Sequence, residues 1–225
     1  MKKVLLMLGV MLFSASAFAM NQEAMDDKTC AEQRASFEEI VNSLNQDSFI
    51  AQYIVTNLAD TFRELPDEQA MPLAQCYDTY RVKGEAMTQF VRTHSDIFRQ
   101  KALESNKGDE AKQAVISEAK VYDELQTEML DFAHRVELLS EQAKLDHIVA
   151  LGQESYVVQY ILSNMVDPMK KMTDQQAAPK AKAYAALKVN GLALTEFVRA
   201  HSNDYSMYVE IEMENFADRV EKLAK

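Results

Sequence analysis

SFIAQYIVTNLADTFRELPDEQAMPLAQCYDTYRVKGEAMTQFVRTHS (Ser48–Ser95) and SYVVQYILSNMVDPMKKMTDQQAAPKAKAYAALKVNGLALTEFVRAHS (Ser155–Ser202) align at a constant offset of 107 without a gap. Direct count finds 21 identical pairs among the 48, where average composition would give about three by chance. The two stretches therefore read as one module written twice. QYI-x-x-N-x-x-D recurs as Gln52–Asp60 and Gln159–Asp167, and T-x-F-V-R-x-H-S recurs as Thr88–Ser95 and Thr195–Ser202. Further on, Phe132-Ala133 with Arg135-Val136-Glu137 matches Phe216-Ala217 with Arg219-Val220-Glu221 at an offset of 84. The first copy thus carries 23 extra residues, near 99–121 and centred on the turn-like Ser105–Asp109.

Within each copy the apolar spacing is helical. Ile50, Ile54, Leu58, Phe62 and Leu65 fall at steps of three and four, as do Val157, Ile161, Met165, Met169 and Met172, and each set predicts one buried stripe. Pro66 to Pro72, matched by Thr173 to Pro179, interrupts the pattern before a longer helix. That helix is predicted to carry Tyr77, Tyr80, Met87, Phe90 and Val91 in the first copy and Tyr184, Leu187, Leu194, Phe197 and Val198 in the second. Gly84 and Gly191 fall inside it, where glycine is disfavoured by roughly 1 kcal/mol against alanine. Close approach by a neighbouring helix is the expected compensation. No strong breaker separates Tyr205 from Val209, so the last two helices of the second copy are expected to run on as one.

An opening helix over 27–44 has its counterpart at the end of a long helix predicted from about Asp109 to Gln153. Val41, Leu44 and Gln46 there match Ile148, Leu151 and Gln153. The expected fold is all-α: a helical bundle of two tandem copies of one module, joined by a long shared helix. The first module is assigned to residues 20–140 and the second to 141–225. Only 5 glycines and 4 prolines in 225 residues agree with helix throughout.

Residues 1–19 read as a secretory signal. Lys2 and Lys3 precede the apolar run Val4–Phe13, and Ala17-Phe18-Ala19 supplies the small residues of a cleavage site. The apolar run is too short to span a bilayer, which needs about 20 residues. Export to the periplasm or the medium, with no transmembrane anchor, is the expectation. Loss of Lys2 and Lys3 takes the formal charge from −11 to −13, a balance that repels nucleic acid and attracts a basic partner.

Cys30 and Cys76 are the only cysteines, and an oxidising compartment favours a structural disulfide between them. His94 and His201 occupy the same place in each copy, on the apolar side of their helices. They read as hydrogen-bonded core or interface histidines. Packed together they could instead form a ligand or metal site or a pH-sensitive joint, but Phe90, Val91, Ile97 and Phe98 around His94 offer no second ligand. Arg92 and Arg199 point elsewhere and suit ion pairs or an anionic ligand. Tyr53, Asn57 and Asp60, repeated as Tyr160, Asn164 and Asp167, form a polar ribbon beside the buried stripe. An internal hydrogen-bond network is its favoured reading, with a ligand or partner groove as the alternative. Met165, Met169 and Met172 match Leu58, Phe62 and Leu65, so they read as core rather than as a copper site.

No nucleophile elbow, phosphate loop, H-E-x-x-H helix, EF-hand loop or C-x-x-C motif is present. No catalytic residue, cofactor or metal is assigned. The expected function is that of an exported, non-enzymatic binding protein of chaperone, inhibitor, immunity or adaptor type. Its partner is another protein, and a homo-oligomer is compatible with the same surface. The alternative is a small-ligand or metal carrier or sensor whose site lies near His94 and His201.

Overall fold

The computed structural model describes residues 27–105 and 118–225; the signal assigned to residues 1–19 lies outside them. The described chain is mostly helical, with two short hairpins. α1 (Asp27–Ser43) precedes α2 (Asp47–Ile54), which passes through a π-turn (Val55–Ala59) into α3 (Asp60–Arg63). Then follow α4 (Asp67–Asp78), the hairpin β1 (Arg81–Val82) and β2 (Glu85–Ala86), α5 (Met87–Thr93) and α6 (Ile97–Ser105). α7 (Ala119–Ala150) leads into the second half. That half comprises α8 (Glu154–Ile161), a π-turn (Leu162–Val166), α9 (Asp167–Lys170), α10 (Asp174–Ala186), β3 (Lys188–Val189), β4 (Leu192–Ala193), α11 (Leu194–Ser202) and α12 (Met207–Leu223).

The π-turns answer a packing problem visible in the spacing. Ile50, Ile54, Leu58 and Phe62 recur every four residues, as do Val157, Ile161, Met165 and Met169, and all eight are buried. A regular α-helix turns about 100° per residue, so steps of four drift off the buried face. The wider turn, with the amides of Asp60 and Asp167 bonded five residues back to Val55 and Leu162, takes up that drift.

The long helix expected through Gly84 and Gly191 is broken in both places by a hairpin. Val82 pairs with Glu85 and Val189 with Leu192, leaving two-residue turns. Lys83 (φ 50°) and Gly84 (φ 87°), like Asn190 (φ 51°) and Gly191 (φ 81°), are left-handed. Two consecutive positive φ values are what a type I′ turn requires. No neighbour lies within 4 Å of a Cβ added at either glycine, so close helix approach is not why they are there. The run-on helix expected across Tyr205 is likewise interrupted. α11 ends at Ser202 and α12 starts at Met207, because Asp204 and Tyr205 fold back in three-residue turns onto the carbonyls of His201 and Ser202. The long connecting helix is seen from Ala119 to Ala150; its expected start near Asp109 lies outside the described residues.

Two buried clusters result. The first gathers Phe37, Ile54, Phe62, Tyr77, Tyr80, Phe90 and Val91, with Met129, Phe132, Val136 and Leu139 from α7. The second gathers Ile161, Met165, Met169, Tyr184, Leu187, Phe197 and Phe216, with Leu145 from α7. Between them Lys144 of α7 bonds Asp78 of α4 (2.9 Å) and Glu141 (2.8 Å), and Tyr160 of α8 donates to Glu141 (3.2 Å). Burial opposes the charge on Lys144, but the hydrogen bonds and charges of Glu141 and Asp78 outweigh it and hold the ammonium above its ordinary range. Cys30 and Cys76 stand at disulfide distance, Cα–Cα 5.5 Å, tying α1 to α4. Closing a loop of this length is worth about 4 kcal/mol in the chain-entropy picture. Among the described residues no helix is long and apolar enough to cross a membrane.

The glycines give a prediction of decisive sign. In a helix interior, alanine at Gly84 or Gly191 would stabilise by roughly 1 kcal/mol; at a left-handed turn it destabilises by about 1–2 kcal/mol. Urea unfolding of Gly84→Ala and Gly191→Ala is expected to show the loss.

Tyrosines supply a second prediction. Burial pushes the phenols of Tyr77, Tyr80 and Tyr184 well above their ordinary range, and burial followed by the Glu141 carboxylate pushes Tyr160 up to about 12. A raised folded value means stability that is complete below the unfolded value of about 10 and declines as pH climbs towards the folded one. Alkaline titration should therefore give a cooperative step in phenolate absorbance that coincides with loss of helical circular dichroism. Smooth titration with the helix intact would contradict the burial.

Candidate functional site

The π-turn helix and the last helix of each half diverge over a groove. In the first half Val55, Ala59, Phe62 and Phe132 supply its apolar surface, and Asp60, Arg63, Glu128, Asp131 and Arg135 its polar rim; its volume is about 340 Å³. In the second half a groove of about 160 Å³ is lined by Val166, Met169, Lys170, Glu212, Asn215, Phe216 and Arg219. Every residue lining the second groove has its counterpart in the first, which adds Val55 and Asp60. Ala59, Phe62 and Arg63 lie 107 residues before Val166, Met169 and Lys170, and Glu128, Asp131, Phe132 and Arg135 lie 84 before Glu212, Asn215, Phe216 and Arg219.

An arginine sets the base of each groove. At the end of α3 the Phe62 carbonyl accepts a long turn bond from the Leu65 amide (3.3 Å) and has a lone pair to spare. Arg135 donates from Nη1 to the Phe62 carbonyl (2.7 Å), from Nη2 to that of Leu65 (2.6 Å), and from Nη2 and Nε to Asp67 Oδ1 (2.7 and 3.2 Å). Its guanidinium also lies 5.0 Å from the Phe62 ring centroid. Arg219 repeats the pattern, donating to the carbonyls of Met169 and Met172 and, at 2.8 and 3.2 Å, to Asp174 Oδ1. A planar, five-donor fork is needed to hold two carbonyls and a carboxylate together.

An ion pair spans each rim. Arg63 Nη1 meets Glu128 Oε1 at 2.7 Å. In the second half Lys170 pairs with Glu212 and also reaches Tyr208 Oη at 3.3 Å. The hydrogen bond from Lys170 holds the Glu212 carboxyl below the ordinary carboxylate range. These pairs are solvent-facing and contribute little stability by themselves. They leave two apolar slots with a charged edge, a surface suited to binding.

Apart from Asp60, the residues singled out by sequence are placed elsewhere. His94 Nδ1 lies 3.0 Å from the Phe90 carbonyl, its ring stacks on Phe90 at 4.2 Å, and Nε2 faces Asp47 Oδ2 at 3.5 Å. His201 does the same with the Phe197 carbonyl (2.9 Å), the Phe197 ring (4.2 Å) and Glu154 (3.4 Å). A carbonyl neighbour requires a proton on Nδ1, so each imidazole joins a helix end to the start of α2 or α8. No shared ligand set forms: among the described residues no three His, Cys, Asp or Glu side chains are grouped to hold a metal ion. Arg92 pairs with Glu137 at 2.8 Å, and Arg199 pairs with Glu221, Asp218 (2.8 Å) and Glu214 (3.7 Å).

The polar ribbon is not internal. Asn57, Asp60, Asn164 and Asp167 are exposed, and Asn57 and Asn164 bond the carbonyls of Tyr53 and Tyr160 one turn back, at 2.9 and 3.0 Å. Those bonds decorate the π-turns, where the backbone ladder is stretched. Tyr53 packs on Phe37, and Asp60 alone of this set reaches a groove. The groove residues Arg135, Arg219, Glu128 and Glu212 were not predicted as a site, although Arg135 and Arg219 stand in the offset-84 match and Glu128 and Glu212 share its offset.

Comparisons with protein-family models, with curated proteins and with solved structures find no match.

Replacing Arg135 or Arg219 with alanine removes the charged donor shared by two carbonyls and a carboxylate. Each substitution is expected to destabilise by about 1.5–3 kcal/mol, the range for hydrogen bonds to charged groups. Lysine should restore less than half of this, since a point charge cannot fork. Equal stability of the lysine variants in thermal unfolding would refute the clamp.

Proposed function

We propose that this chain is an exported, non-enzymatic binding protein of two tandem modules, residues 20–140 and 141–225, that engages a basic partner protein through the like groove on each. The observation that carries the reading is the repetition of the groove: the base arginine, the rim cation, the rim glutamate and the aromatic wall recur in register. Features that merely hold a core together need no matching rim. The module boundary within α7 is supported by the passage of that helix from the first buried cluster, through Leu139, to the second, at Leu145. The shared helix keeps both grooves on one rigid piece, so two weak contacts act together and avidity exceeds either affinity. The acidic balance favours a cationic partner.

Neutralising the rim acids tests this without disturbing the cores, because glutamine keeps the size of Glu128 and Glu212 and removes the charge that a basic partner would meet. Immobilised wild-type protein and the variants Glu128→Gln, Glu212→Gln and the double variant are challenged with cell-envelope extract. Each single change is expected to weaken retention of a common partner several-fold and the double change to abolish it. Identical retention by wild type and the double variant, with unaltered melting, would remove the proposal.

A further inference from the structure

The two grooves share a frame but not a charge. In the first, Asp60, Glu128 and Asp131 stand against Arg63 and Arg135, three acids to two bases. In the second, Glu212 stands against Lys170 and Arg219, one acid to two bases. Both arginines of the first groove are already engaged. Arg135 is taken up by two carbonyls and Asp67, and Arg63 by Glu128 at 2.7 Å and by Asp60 and Glu64, each at 3.7 Å. Asp131 is the acid left over, with no ion pair or hydrogen bond among the described residues. His134, one turn further along α7, supplies no compensating charge near neutral pH, because burial and then the nearby Arg92 favour its uncharged form.

Asp131 shares one face of α7 with Glu128 and Arg135, at steps of three and four, and lines the groove beside Phe132. From Glu128 to Arg135 that face runs about 10 Å, seven residues at 1.5 Å each. Half-buried Val55 and buried Ala59 join Phe132 to make the apolar wall. Lysine and arginine match such a place, since they lay a methylene stem on apolar surface and keep the charged head at its edge. Here the two halves part. The counterpart of Asp131 at the offset of 84 is Asn215, of nearly the same size but without the charge. The first groove is also the roomier, at about 340 Å³ against about 160 Å³.

We propose that the first groove seats one basic side chain of the partner protein, a lysine or arginine whose stem lies on Val55, Ala59 and Phe132 and whose head pairs with Asp131. The second groove, with Asn215 at that position, meets the partner without this seat. The proposal rests on the groove reading above and names the residue type that separates one groove from the other.

The probe is n-butylguanidinium, an arginine head on a short alkyl stem, and n-butylurea, of like shape and uncharged, is the control. Amide NMR titration of the full chain at low salt is expected to show saturable shifts at Val55, Ala59 and Phe132 with butylguanidinium. Val166 and Phe216 are expected to stay in place, and butylurea to give no saturable shift. Asp131→Asn is expected to weaken the binding about three- to fivefold, the upper span of an exposed ion pair. Its melting temperature should be unchanged, because this carboxylate ties no other element. No saturable shift in the first groove, equal shifts in both grooves, equal binding of butylurea, or undiminished affinity of Asp131→Asn would each overturn the proposal. If the double variant of Glu128→Gln and Glu212→Gln still loses partner retention in those cases, the groove reading stands and only the seat for the cation is lost.

Discussion

Four buried side chains spaced four apart drift by about a third of a circle around a regular α-helix. Ile50, Ile54, Leu58 and Phe62, like Val157, Ile161, Met165 and Met169, all remain in the core, and a π-turn in each helix makes that possible. Much else follows from this. The widened turn places Ala59 and Val166 at the groove, and it gives Asn57 and Asn164 a carbonyl to bond one turn back. Because π-turns strain the backbone ladder, they persist where packing over-determines them, and the fully buried stripe supplies that determination here.

The two arginine clamps turn this local irregularity into a tertiary link. Arg135 and Arg219 come from the last helix of each half and bind the carbonyls that the π-turn helix leaves at its end, together with the first acid of the helix that follows. One side chain thus fixes three elements at the groove base. The cation above it, Arg63 or Lys170, is half exposed and pairs with a glutamate of the last helix, so the clamp lies at the base and an ion pair at the edge. Where the halves differ, they differ in what surrounds this unit. The first has the Cys30–Cys76 pair and α6, while the second leaves Met207, Tyr208 and Ile211 exposed on α12.

Several of these features were legible beforehand and some were misread. Asn190-Gly191 between Val189 and Leu192 is the strongest short hairpin signal a sequence carries, yet helical periodicity through Tyr184 and Val198 masked it. Lys83-Gly84, with a poorer signal, adopts the same turn. The strict step of four could have announced the π-turns, because three-and-four patterns are the rule for a regular helix. The polar ribbon misled because helical spacing tells which residues share a face but not whether another element covers it. Asn57 and Asn164 lie on the uncovered side.

By itself, the amino-acid order determined that the chain is helical, where its apolar stripes lie, that matching segments recur 107 residues apart, and that two cysteines were available to pair. These are properties of local periodicity and of residue chemistry, and they need no knowledge of neighbours. Only the tertiary structure decided that Arg135 reaches Phe62 and Asp67 across some seventy residues, that His94 and His201 each meet their own carboxylate rather than one another, and that Met207, Tyr208 and Ile211 are left in water. A groove is the space between elements, and its lining depends on how helices cross and on which flank goes uncovered; no single segment encodes either.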